Sequence, residues 1–250
     1  MNQIESLVRG FARAGVPLQI ADRPFARVST DEIVQMDVRR TMKHGRVHED
    51  VLLWPGKGAD LQVTGTDSDI NQLVLRVREA RRKFYERRWS PEARRNIQVE
   101  RWTSPDLRRF LVGMDEAHLF VAQLTTPATT VADAHRGLRP MELEARPEAH
   151  RQGEWFFVPA SAAERESIRK LARVFFSRNE RIGGRVAMRG RPHFAEQLVR
   201  MQVRDDTGTR FVEFVRGRVR HPDHAVLDLK EWMRVLMNTE NRAIGSTWVD

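Results

Sequence analysis

Two histidines flank an acid in the segment His221-Pro222-Asp223-His224. Imidazole and carboxylate are the ligand types of a hydrolytic metal site. A turn joining two strands would aim both rings at one point, with His193 and Asp228 as candidate companions. Beside a basic surface, His221, Asp223 and His224 would suit metal-assisted phosphodiester hydrolysis, the ion activating water while arginines hold phosphate. The same residues also make an ordinary turn, in which Pro222 fixes φ, Asp223 bonds its own backbone and the histidines sit at the surface. His44 and His48 are four apart, but Gly45 between them marks a turn rather than a helix face. Asp115 and Glu116 beside His118 have the composition of a catalytic cluster and also that of a loop before a buried strand.

A second pattern overlaps the first. Pro222-Asp223 followed by Asp228-Leu229-Lys230 resembles the bipartite acid–acid–lysine motif of the PD-(D/E)xK nucleases. That resemblance implies two acids as metal ligands and a lysine that helps to activate water. It spans nine residues, with halves closer together than two neighbouring strands require, and no family membership follows from it. Phosphate-binding loops, dinucleotide fingerprints, nucleophile elbows and His-Glu-x-x-His are absent from the sequence. With no cysteine among 250 residues, disulfide, thiolate and iron–sulfur chemistry are excluded.

The strongest chemical bias is basic. Forty-three Lys and Arg face 34 Asp and Glu, and only five of the 43 are lysine. Arginine forks match phosphate oxygens and stack on bases, although a GC-rich genome would produce the same Arg:Lys ratio. The excess is concentrated. Residues 76–109 carry +7 and residues 165–220 carry +9, which leaves −7 on the rest of the chain. Two basic blocks in an otherwise acidic protein are the footprint of a polyanion binder. In the first block Phe84, Tyr85, Trp89 and Trp102 interleave with arginines, a mixture that suits stacking on unpaired bases. Arg78, Arg81, Arg82, Lys83, Arg87 and Arg88 are the candidate phosphate contacts there. Arg185, Arg189, Arg191, Arg216, Arg218 and Arg220 form the second set. Arg216, Arg218 and Arg220 alternate along an expected strand, so they should share one sheet face, where burial without anionic partners would be costly.

The elements that must carry these residues read as α+β: mainly antiparallel sheet with several packed helices, in one body or in two subdomains. Helical spacing of Ile4, Leu7, Val8 and Phe11 predicts a helix over 2–14, ended by Gly15 and Pro17. Short Val-, Leu- and Ile-rich strands are expected at 18–29, 33–39, 50–54, 60–65 and 71–78, with turns at 56–58 and 65–67. Ser90-Pro91-Glu92 and Ser104-Pro105-Asp106 read as helix starts. A strand at 117–124 and a helix from Thr130 to Leu138 follow. Trp155–Val158 reads as a strand, Ser161 opens a helix with a capping box, and another helix is expected at 192–201. Residues 210–220 and 225–237 read as strands, the latter alternatively helical from Lys230. The polar stretch 140–153 reads as a linker between an N-terminal unit (1–139) and a C-terminal unit (154–250).

The leading expectation is a nucleic-acid-binding protein, for RNA or DNA, without its own catalysis, and part of a larger nucleoprotein assembly. One alternative is a metal-dependent nuclease or phosphodiesterase with a divalent ion at the His221–His224 segment. Another is a structural subunit whose basic blocks meet an acidic protein partner. No membrane partner is expected, and a start without a signal-like pattern makes the cytoplasm the expected location.

Overall fold

The computed structural model describes residues 2–25, 33–103, 106–143, 148–171, 177–183, 191–205 and 208–239. Strands take 56% of the protein and helices 16%. The expectation of an α+β fold with several packed helices is therefore wrong: the protein is mostly β, built from several antiparallel sheets. Among the described residues there are three α-helices, and none is long and apolar enough to cross a membrane.

The chain divides into two compact units. One comprises Met1–Met114 and Leu119–Arg136, the other Asp115–His118 and Gly137–Thr239.

In the first unit, helix α1 (Gln3–Arg13) is capped by Asn2, whose side chain accepts from the Ile4 amide. Its buried Leu7 and Phe11 join one apolar core with residues of two sheets. The first sheet has the order β1 (Leu18–Ile20), β3 (Arg46–Trp54), β2 (Gln35–Lys43). Strands β2 and β3 turn at His44-Gly45, both with positive φ, the pairing a two-residue hairpin requires. The second sheet orders β4 (Asp60–Asp67), β5 (Gln72–Arg78), β8 (Leu107–Asp115) and β9 (His118–Leu124). Gly65, expected in a turn, lies inside β4 at a bulge, and a Cβ there would meet the Thr129 carbonyl oxygen at 2.6 Å. Helix α2 (Val131–Leu138) forms where expected.

Strands β5 and β8 do not end the hairpin they belong to. Glu79 donates its amide to the Asp106 carbonyl, the Thr103 amide donates to the Arg82 carbonyl, and the Arg82 amide donates to the Thr103 hydroxyl. Beyond them β6 (Lys83–Ser90) and β7 (Arg95–Trp102) form a separate two-stranded ribbon. The helix expected from Ser90-Pro91 is the tip of this ribbon instead. The Ser90 hydroxyl accepts from the Ala93 amide at 3.2 Å, so the same local chemistry that caps a helix here closes a turn. The other expected start, Ser104-Pro105, lies outside the described residues.

The second unit is built on one antiparallel sheet. Its order is β10 (His150–Gln152), β11 (Trp155–Pro159), β15 (His224–Met237), β14 (Gly208–His221), β13 (Phe194–Asp205), β12 (Ser177–Arg181). Helix α3 (Ala162–Leu171) opens with the expected capping box: the Glu164 amide donates to the Ser161 hydroxyl at 3.2 Å, and the Ser161 amide to the Glu164 carboxylate at 2.7 Å. Ile168 of α3 joins Val199, Val212 and Phe214 in one core cluster, while Leu198, Val215, Val219 and Leu229 belong to another.

The helix expected at 192–201 is the start of β13. Ala195 and Leu198 pack in one core cluster and Val199 in another, so the strand is buried on more than one side and its helix-like spacing does not mark a helix.

Candidate functional site

The β6–β7 ribbon turns an alternating sequence into two faces. Cross-strand partners Lys83 with Trp102, Tyr85 with Glu100, Arg87 with Gln98, and Trp89 with Asn96 share one face. Three aromatic rings, Tyr85, Trp89 and Trp102, therefore stand on the same side, each 57–59% exposed. Tyr85 and Trp89 lie about 13 Å apart along the strand. The opposite face carries Phe84, Val99 and Ile97 with Arg88, Arg95 and Arg101.

The base of the ribbon is fixed by a buried carboxylate. Glu79 is 2% exposed; it accepts from the Val34 amide at 3.0 Å, from Arg82 at 3.4 Å and from Arg108. The rest of the ribbon is nearly all solvent-facing, and a two-stranded hairpin alone is marginal in water. Its cations divide accordingly. Lys83 pairs with Glu100, and Arg101 with Glu86 at 3.6 Å. Arg87, Arg88, Arg94 and Arg95 are exposed and have no acidic partner among the described residues. Of the candidate phosphate contacts, Arg78 and Arg81 are exposed at the ribbon's root, while Arg82 is committed to Glu79.

The second set is more committed. Arg216, Arg218 and Arg220 are exposed on β14 rather than buried, and a bulge between Arg216 and Val219 interrupts the alternation expected to put them on one face. Each already has a partner. Arg216 donates to Gln197 at 2.8 Å and lies 4.9 Å from the Trp232 ring centre. Arg218 donates to Glu196 at 3.1 Å and Arg220 to Asn179 at 2.6 Å. The Arg218 amide and guanidinium together hold the Glu196 carboxyl below its ordinary range. The penalty for burying three arginines therefore does not arise. Arg191 donates to Asp223 at 2.9 Å. Arg185 and Arg189 lie outside the described residues.

A different constellation forms in the second unit. His221 ends β14 and His224 starts β15, so the two-residue turn between them brings the rings to 4.7 Å, centre to centre. His193, just before β13, stands 4.2 Å from His221 and 5.6 Å from His224. One ring nitrogen from each of the three can be chosen so that all lie within 4.8 Å of one another. Asp223 is not the third member. Its carboxylate is taken up by Arg191 and lies 3.8 Å from His118. Asp228 pairs with Lys230 farther along β15, away from the turn.

His193 is 2% exposed, and neither ring nitrogen has a hydrogen-bond partner among the described residues. Burial, then the neighbouring His221 and His224, pushes its pKa down to about 3, so the ring is neutral. Burial also lowers the pKa of His221, against the opposing effect of its bond to the Arg191 carbonyl.

Sequence reasoning singled out His221 and His224 and named His193 as a companion. It did not find Gly153 and Glu154, which border the same rings. The positive φ of Gly153 hints at a special backbone position only once the fold is known. The Asp115-Glu116 turn does reach this place: Glu116 accepts from the Ala225 amide at 3.0 Å and lies 3.9 Å from His224. No family model, curated protein or solved structure matches this chain.

Proposed function

We propose that this protein binds single-stranded nucleic acid through the β6–β7 ribbon. The observation that carries the reading is the exposed row of Tyr85, Trp89 and Trp102 on one face of a cationic hairpin. Large exposed aromatic surface marks an interaction site, since water disfavours it. Aromatic rings stack on any unpaired base, and adjacent arginines hold the backbone. Arg87 stands on the aromatic face, with Arg88, Arg94 and Arg95 on the other face and at the tip. An acidic protein partner would use the arginines but gives no role to three aligned rings. Duplex nucleic acid keeps its bases stacked on one another and offers those rings no open face.

The test compares labelled single-stranded RNA, single-stranded DNA and duplex DNA by fluorescence anisotropy. Base–aromatic stacking contributes ~1–3 kcal/mol per ring, so Trp89→Ala should weaken single-strand binding by roughly 5- to 150-fold. The fold should persist, because Trp89 is exposed. Duplex bound as well as single strands, or an unchanged affinity in Trp89→Ala and Tyr85→Ala alike, would overturn the reading.

A further inference from the structure

We propose that His193, His221 and His224 form a binding site for one divalent metal ion of the zinc type. Three features point there, and none depends on the ribbon.

First, His193 is a buried polar side chain whose two ring nitrogens are both without hydrogen-bond partners among the described residues. Leaving such a group unsatisfied in the interior is costly, and a metal ion is a partner that removes the cost. The other two rings gathered around it are also imidazoles, the ligand type best suited to zinc and its neighbours.

Second, one nitrogen of His221 is bonded to an oxygen and one nitrogen of each of the other two rings has a carboxylate within 4 Å, leaving the remaining nitrogens for an ion. His221 Nε2 is 2.9 Å from the Arg191 carbonyl, which fixes Nε2 as the protonated nitrogen and leaves the lone pair on Nδ1. That lone pair now accepts from the Asp223 turn amide at 3.1 Å, a bond that an ion would replace. His193 Nδ1 lies 3.7 Å from Glu154, and His224 Nδ1 lies 3.9 Å from Glu116. Metal-ligating histidines characteristically give their second nitrogen to a carbonyl or carboxylate, which orients the ring and raises its basicity.

Third, the space between the rings is kept open by a glycine. A Cβ on Gly153 would sit 2.9 Å from His224 Nε2 and 3.4 Å from His193 Nε2. The two nitrogens left for an ion on these rings thus face the same small volume. Tetrahedral zinc at about 2.0–2.1 Å from each nitrogen sets the ligand atoms ~3.4 Å apart. One nitrogen from each ring lies within 4.8 Å of the others, so ring rotations closing the spacing by up to about 1.4 Å complete a site. With His193 and His221 buried, such an ion would tie the start of β13 to the β14–β15 turn. Its role would be structural.

The experiment uses the full chain, stripped with a chelator and titrated with Zn²⁺ by calorimetry. The expected result is one ion per chain and a raised melting temperature. His193→Gln and His224→Gln should each abolish stoichiometric binding, while Glu154→Gln and Glu116→Gln should weaken it ~10- to 100-fold. Co²⁺ added to the wild-type chain supplies a readout that needs no variant: intense visible bands of four-coordinate cobalt are expected. A folded wild-type chain that takes up no stoichiometric Zn²⁺ and gives only the pale spectrum of hydrated Co²⁺ would overturn the proposal. So would equal uptake by the two histidine variants.

Discussion

Glu79→Ala is the most informative single change outside the aromatic face. Glu79 sits at 2% exposure between the end of β5 and the root of the ribbon. Its carboxylate satisfies the Val34 amide and holds the Arg82 and Arg108 guanidinium groups, whose side chains are 24% and 14% exposed. Truncation leaves a buried amide without an acceptor and Arg82 without its anion, while Arg108 keeps only the more exposed Asp106 at 3.4 Å. Removing one partner of a buried ion pair typically destabilises by ~3–5 kcal/mol. A unit of this size loses ~2–4 °C of melting temperature per kcal/mol, so the midpoint should fall by roughly 6–20 °C. Glu79→Gln keeps an acceptor for the Val34 amide and should lose less. Urea unfolding followed by tryptophan fluorescence and by circular dichroism measures both variants. A loss under about 1 kcal/mol in Glu79→Ala would show that solvent already screens this network, as it does surface pairs. The account of how the ribbon is anchored would then be wrong.

Gly10→Ala should destabilise by ~1 kcal/mol, because overpacking at ~1–3 kcal/mol outweighs the ~1 kcal/mol gained in helix propensity. The added methyl would sit 2.6 Å from Val63 Cγ2, so combining it with Val63→Ala should recover part of the loss; a more stable Gly10→Ala in urea would contradict the close packing of α1 on β4. Asp37 supplies a pH test. Partial burial raises its pKa above the unfolded value of 3.8, against the opposing bond from the Val38 amide. The folded state therefore holds the proton more tightly, and stability falls as pH rises from 3.8 through the folded pKa and stays lower at neutral pH. Asp37→Asn should unfold at higher urea than wild type at neutral pH, with the difference shrinking in acid; no pH dependence of that difference would contradict the assignment.

Local signals with one strong reading were legible. The capping box at Ser161 and the stop at Gly15-Pro17 formed as read, as did the strand around Trp155 and the turn between His221 and His224. The misreadings share a cause. Ser90-Pro91 and Pro192 both read as helix starts, but tertiary pairing gave the first to a hairpin tip and the second to the approach to strand β13. The aromatic–arginine mixture was visible at 84–102. That the rings align on one face required the cross-strand register, which period-two counting cannot supply for two strands at once. The histidine cluster was half legible. His221 and His224 are neighbours in sequence, while His193 and Gly153 reach them only through the folded sheet.

The central claim is that the ribbon holds a single-stranded polyanion, and salt dependence tests it most directly. Single-strand binding loses affinity with a log–log slope of about −0.7 per phosphate contact. Four contacts from Arg87, Arg88, Arg94 and Arg95 predict a slope of about −3, or a roughly 150- to 200-fold loss between about 50 and 300 mM salt. Replacing all four with alanine should bring the slope close to zero, while Trp89→Ala should lower affinity and leave the slope unchanged. A wild-type slope near zero, or a steep slope that survives loss of the four arginines, would contradict the account.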